Sequence, residues 1–225
     1  MYILFVIISC LVYLFTYNVS HLFIPFLVFI LIILVPKWKS VYSGAKKPGL
    51  KKDPLYITVL SIIMPIALGI TLFLPMLCPE YRPEYKYLQI LLMILATLGL
   101  LLWRQSMDYM GSLFADGIYE SEMLITNGPF SLVRNPIYSS YIILFPSLGI
   151  YGFTIVQDKY IIIQLIALLL FICLGYILLN YRITLEEKVL SYFGAEYARY
   201  KAETPRLLPT LTSIIGFMKQ PFKIT

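Results

Sequence analysis

Residues 160–180 read YIIIQLIALLLFICLGYILLN: no charge in the run, and only Gln164 and Asn180 as side-chain amides. An α-helix rises 1.5 Å per residue, so ~20 such residues cross the ~30 Å hydrocarbon core of a bilayer. This stretch predicts a spanning helix. The sequence turns polar immediately after it, at 181–190, YRITLEEKVL.

Working outward, five further apolar runs can be marked, at roughly 2–17, 22–35, 55–77, 88–103 and 138–156. The runs at 55–77 and 138–156 are long enough to span, and 88–103 becomes so with Trp103 and neighbouring tyrosines as interface anchors. The first two are short, and Pro25 interrupts the second. They are expected to form a hairpin, turning at Asn18–His21, that either spans or dips in and returns. The chain is 60% hydrophobic, 13% charged, with a mean hydropathy of +0.81. A soluble domain is about a quarter charged. The expected fold is therefore all-α: a polytopic integral membrane protein of about six apolar helices. The N-terminus lacks a basic n-region and a small-residue cleavage site, and reads as a mature helix.

Charge orients the spans. Segment 36–54, PKWKSVYSGAKKPGLKKDP, holds six lysines and one aspartate. With six spans it shares a side with 104–137 and with everything from 181 onward, and that side carries 15 of the 18 Lys and Arg. The opposite side has Arg82, Lys86 and Lys159. Lys/Arg excess marks cytoplasmic loops. The expected organisation is an N-terminal hairpin at 1–35, a basic cytosolic loop at 36–54 and two spans within 55–103. Segment 104–225 follows, comprising a cytosolic loop, a transmembrane hairpin at 138–180 and a cytosolic helical cap. The net charge of +6 is this topological excess, with anionic lipid as a further partner. Nucleic acid is not a partner of a chain with these spans.

Several chemistries are excluded. His21 is the single histidine, and Cys10, Cys78 and Cys173 have no ligand spacing and read as packing residues. Neither a metal cluster nor a His-based triad can be built from them. No Gly-x-Gly occurs, which removes the dinucleotide fingerprint. No ionisable residue lies deep in a span, which argues against a transporter.

Two stretches stand out on the basic side. In 121–141, SEMLITNGPFSLVRNPIYSSY, Asn127-Gly128-Pro129 signals a turn, and Pro136 is placed to open a helix. Read blandly, this is a loop, an interfacial arginine and a helix start. In 182–209, RITLEEKVLSYFGAEYARYKAETPRLLP, Thr184 and Glu187 stand at capping-box spacing, which would start a helix there. Leu190, Phe193, Tyr197 and Tyr200 recur at helical spacing, predicting an amphipathic face that Gly194 interrupts. Glu186 and Glu187, at the edge of a span, invite a functional reading, because a carboxylate there is costly unless paired or solvated.

Both stretches resemble the isoprenylcysteine carboxyl methyltransferase family and its phospholipid methyltransferase relatives. The pattern L-[VI]-T-x-G-x-[YF] followed by R-H-P-x-Y stands here as Leu124-Ile125-Thr-Asn-Gly128-Pro-Phe130 and Arg134-Asn135-Pro136-Ile-Tyr138. The closing pattern stands as Arg182, Glu186-Glu187, Phe193-Gly194-Ala-Glu196-Tyr197, Tyr200, Pro205-Arg206 and Pro209. The match covers about 104–210.

The resemblance implies an integral-membrane methyltransferase with S-adenosylmethionine as cofactor, held in a cytosolic pocket, and a lipophilic acceptor entering from the bilayer. Leu124, Ile125, Gly128 and Phe130 would line the adenosine end, with Asn135 and Tyr138 towards the methionine end. Tyr197 would close the site, and Arg134, Arg182, Glu186 and Glu187 would be the catalytic groups. An isoprenylcysteine-like carboxylate is the expected acceptor; a phospholipid amine, or a fold that has lost its chemistry, are the alternatives. Two positions depart from the family: Asn135 stands for its histidine in R-H-P, and Glu122 for a histidine before the first pattern. Asparagine donates and accepts hydrogen bonds but takes no proton.

Overall fold

The structure is a computed structural model describing residues 55–77, 80, 82–111 and 123–218. The first two apolar runs, His21, the lysine loop 36–54, Cys10, Cys78 and Glu122 lie outside the described residues. Those described are helical, with no strand among them: α1 (Leu55–Leu77), α2 (Lys86–Met110), the single turn α3 (Pro129–Leu132), α4 (Pro136–Phe153), α5 (Ile161–Leu190), α6 (Gly194–Glu203) and α7 (Leu211–Met218).

Among the described residues, three stretches are long and apolar enough to cross a membrane: Leu55–Leu72 in α1, Pro83–Met110 around α2, and Asp158–Glu203 around α5. The 18-residue helix α4 forms where a span is expected and opens at Pro136, but it carries Pro146 and is not among the three. α2 and α5 outrun their apolar cores, to Met110 and Leu190. Loss of hydropathy does not end a helix; a breaker does. On α2, an Arg104–Asp108 pair at 3.0 Å supports the polar extension until Gly111, whose φ is +50°.

The chain forms two compact units. The first contains α1, α2 as far as Leu100, and 143–178. Its core is apolar, with Leu92, Leu100, Leu148 and Tyr151 among the buried side chains, but it also encloses neutral polar groups. Thr71, Gln89 and Gln164 are fully buried, while Ile66, Ile166 and Leu169 are 58%, 60% and 53% exposed. Aliphatic side chains facing outward in such numbers, around a core that holds only neutral polar groups, are compatible with a lipid surround. Cys173, expected to pack inside, faces outward with them.

A proline explains one of the buried amides. In α1 the Thr71 carbonyl would accept from residue 75, but Pro75 has no N–H. Gln164 Nε2 of α5 donates to that carbonyl instead, at 2.8 Å. Gly152 of α4 makes room: a Cβ there would lie 2.8 Å from Pro75 Cγ and 3.0 Å from the Thr71 oxygen. Small residues let membrane helices approach closely, and neighbours re-satisfy backbone groups freed by proline. At this unit's loops, Arg82 pairs with Glu80 at 3.2 Å and with Asp158.

The second unit contains 101–111, 123–142 and 179–218 of the described residues. Its core includes Trp103, Met107, Val133, Ile183, Tyr197 and Tyr200. Trp103 is 7% exposed, so the expected interface anchor is a core residue.

Candidate functional site

The site grows from two turns in the second unit. Gly128 adopts φ +57° ahead of Pro129, as the Asn-Gly-Pro signal predicts, and a Cβ there would strike the Tyr109 ring at 2.3 Å. The α3 turn then delivers Arg134 and Asn135 to the start of α4. Gly194 adopts φ +56° after the short turn Ser191–Phe193 and starts α6. The amphipathic stretch through Leu190, Phe193, Tyr197 and Tyr200 is thus interrupted at Gly194, as expected, and the interruption ends one helix and starts another. The kink turns Tyr197 and Tyr200 inward and leaves Tyr192 85% exposed.

The chain beyond α6 is zipped onto the start of α4. Arg134 Nη1 donates to the Thr204 carbonyl at 2.5 Å and to Lys201 O at 2.9 Å, and Arg134 N donates to Pro205 O at 2.8 Å. Asn135 Nδ2 donates to Arg206 O at 3.1 Å, and Ser139 Oγ to Leu207 O at 2.6 Å. Four successive carbonyls, 204 to 207, thus find donors on 134–139. The guanidinium also meets the negative end of the α6 dipole.

Glu187 sits at the centre. Its Oε1 receives Arg134 Nη2 at 3.1 Å, Arg134 Nε at 3.3 Å and Asn135 Nδ2 at 3.5 Å, with Arg206 Nε at 3.4 Å. Oε2 has only a long contact to Lys201 Nζ, at 3.9 Å, among the described ion pairs. The Arg134 and Glu187 side chains are 10% and 11% exposed, so each charge depends on the other. The capping-box reading of Thr184 and Glu187 fails. Both lie inside α5, where Thr184 Oγ1 donates back to Asn180 O at 2.7 Å.

A second cluster forms one residue earlier. Tyr138 donates a short hydrogen bond to Glu186 Oε1, and the Arg182 charge acts on both. Residue 186 lies beyond the apolar run ending at 180. Burial raises its carboxyl above the usual carboxylate range, against the pull of the Tyr138 hydrogen bond and Arg182. Burial likewise raises the Tyr197 and Tyr200 phenols. Tyr200 donates to the Phe130 carbonyl at 2.6 Å, linking α6 to α3.

The residues expected at a site therefore divide. Arg134, Asn135 and Glu187 are joined directly, Tyr138 and Glu186 are joined beside Arg182, and Tyr197 packs next to the first cluster. Gly128 and Phe130 shape the α3 turn. Leu124 and Ile125 are half-buried ahead of it and enter neither polar network. Arg206, Lys201 and the Thr204 carbonyl have no expected role, yet they complete the ionic cluster. Arg206 also reaches Asn180 Oδ1 and Thr184 Oγ1, both at 3.0 Å.

A groove of about 400 Å³ opens beside the cluster, lined by Glu187, Lys188, Ser191, Tyr197 and Lys201 among others. That volume is within the range of small-molecule sites. It offers one under-used carboxylate oxygen, an aromatic side chain and two flexible ammonium groups. Compared with protein-family models and with curated proteins, the chain finds no match.

Proposed function

We propose that the protein is an integral-membrane S-adenosylmethionine-dependent methyltransferase acting on a lipophilic acceptor, with its site on the cytosolic side of six spans. The supporting observation is the convergence on Glu187 of two sequence segments separated by a helical hairpin, next to a groove of ligand size. The topology rests on the Lys/Arg asymmetry.

The groove's chemistry fits the cofactor. S-adenosylmethionine supplies an electrophilic methyl group on a sulfonium, and transfer is an in-line displacement that needs alignment more than a protein nucleophile. Glu187 Oε2 is available to an ammonium. The Tyr197 ring offers cation–π attraction of ~0.5–2 kcal/mol to a sulfonium. Lys188 and Lys201 can meet a carboxylate. Arg134, whose donors go to Glu187 and to backbone carbonyls, acts as a positioning residue. Asn135 does as a donor what a neutral histidine N–H could do. A carboxylate acceptor is already ionised and needs no base, whereas an amine must first lose a proton. The leading acceptor is an isoprenylcysteine-like carboxylate, and a phospholipid amine is the second.

The engagement of Arg134 by protein acceptors favours a competing reading: a membrane protein that keeps this clamp for stability and performs no chemistry. Calorimetric titration of S-adenosylmethionine into the detergent-purified protein separates the two. Saturable binding is expected, and its absence removes both enzyme readings. With labelled methyl donor, label released from extracted lipid by mild base identifies an ester, and label retained in a headgroup identifies an amine. A tag at Ser43 should react from the cytosol; reaction from the opposite side overturns the orientation.

A further inference from the structure

We propose that α7 is a membrane-surface anchor, lying in the headgroup region with Leu211, Ile215 and Met218 in the lipid and anionic headgroups favoured around it. The inference goes beyond methyl transfer and rests only on the chain being membrane-embedded.

The helix is locally determined. Thr210 Oγ1 accepts from Ser213 N at 3.3 Å while Thr210 N donates to Ser213 Oγ at 2.9 Å, a reciprocal cap directly after Pro209. One face packs inward on α3, and Ser213 on that side is 8% exposed. Leu211, Ile215 and Met218, spaced at four and three residues, share the outward stripe at 79%, 46% and 65% exposure. Leu208, just before the cap, is 67% exposed. A contiguous aliphatic stripe left in water is costly, so something covers it.

Length and charge identify what. Eight residues make a helix of about 12 Å, too short to cross a bilayer but suited to lying in its plane. Residues 207–225 contain Lys219 and Lys223 and no acidic residue. Such a segment suits anionic lipid. The membrane is also the partner already present. α5 carries the chain out of its apolar run, and α7 begins 21 residues after α5 ends, so this surface is met at high effective concentration without a separate association step.

The test uses the full-length protein in nanodiscs of phosphatidylcholine with a minor share of phosphatidylserine. Cys10, Cys78 and Cys173 are replaced by serine, and single nitroxide labels are placed at 211, 215, 218, 212 and, as a control within α5, 166. Labels at 211, 215 and 218 should collide with an aqueous nickel reagent several-fold less than the label at 212, and more with oxygen. Nickel accessibility equal to that of 212, with 166 still protected, overturns the anchor. Loss of protection at 166 as well removes the anchor by removing the membrane reading itself. Protection confined to discs holding two copies assigns the stripe to self-association and also overturns the proposal.

Discussion

Gln164 and Glu187 lie on the same helix, α5, and both are withdrawn from solvent, but they are used in opposite ways. Gln164, in the apolar unit, is neutral and gives its amide to a single backbone carbonyl that a proline left open. Glu187, in the polar unit, is charged and gathers Arg134, Arg206, Lys201 and Asn135. Where water and headgroups are absent, a polar side chain is tolerated if it completes the backbone's own hydrogen bonding. Where the chain leaves that environment, a buried charge becomes affordable because several opposite charges converge on it.

The sharpest way to break the comparison is Glu187→Gln. Arg134 then keeps its charge at 10% exposure without a carboxylate, and loss of one partner of a buried pair costs about 3–5 kcal/mol. Thermal unfolding in detergent should show the largest destabilisation of the series. Pairing it with Arg134→Leu should recover part of the loss, and a strictly additive double mutant would show that the pair is not coupled. The next largest effect is expected from Gly152→Val in the apolar unit. Its Cβ alone meets Pro75 and the Thr71 carbonyl, and over-packing of this kind costs about 1–3 kcal/mol. Gly175→Ala on α5, where a Cβ meets nothing within 4 Å, is the control and should cost nothing.

The sequence and the structure agree where a single local cause suffices. The run 55–77 is helix α1 end to end, Pro136 opens α4, and Gly128 turns because only glycine fits a positive φ against Tyr109. Agreement fails where local cues compete with a helix already under way. Thr184 and Glu187 have the spacing of a cap, but no glycine or proline separates them from the apolar run, so α5 carries through them. Gly194 looks tolerable inside a helix, but its φ of +56° starts a new axis and sends Tyr197 and Tyr200 inward. The site was half legible. The motif residues name Arg134, Asn135 and Glu187, whereas Lys201 and the carbonyls of 204–207 join them only through the tertiary return of the chain. Gln164 likewise reads as a lone amide in a span until Pro75 is placed opposite it.

Gln164→Leu and Tyr200→Phe each remove one neutral hydrogen bond, one from each unit, and their ratio sharpens the comparison. Without Gln164 the Thr71 carbonyl, on a fully buried residue, has no amide from residue 75 to replace it. The cost should be about 2 kcal/mol, the desolvation penalty of an orphaned acceptor. Tyr200→Phe leaves the Phe130 carbonyl in a similar position, because Arg134 N, which a helix would offer it, is already bonded to Pro205 O. Phe130 is half-buried, and Tyr200 lines a groove of about 360 Å³ together with Ser131, the next residue in the chain, so water can replace the phenol. The loss should be nearer 1 kcal/mol, the net worth of an ordinary hydrogen bond. If Tyr200→Phe proves the more costly, the second unit is as dry as the first, and the distinction between a lipid-facing bundle and a solvated ionic cap fails at its most sensitive point.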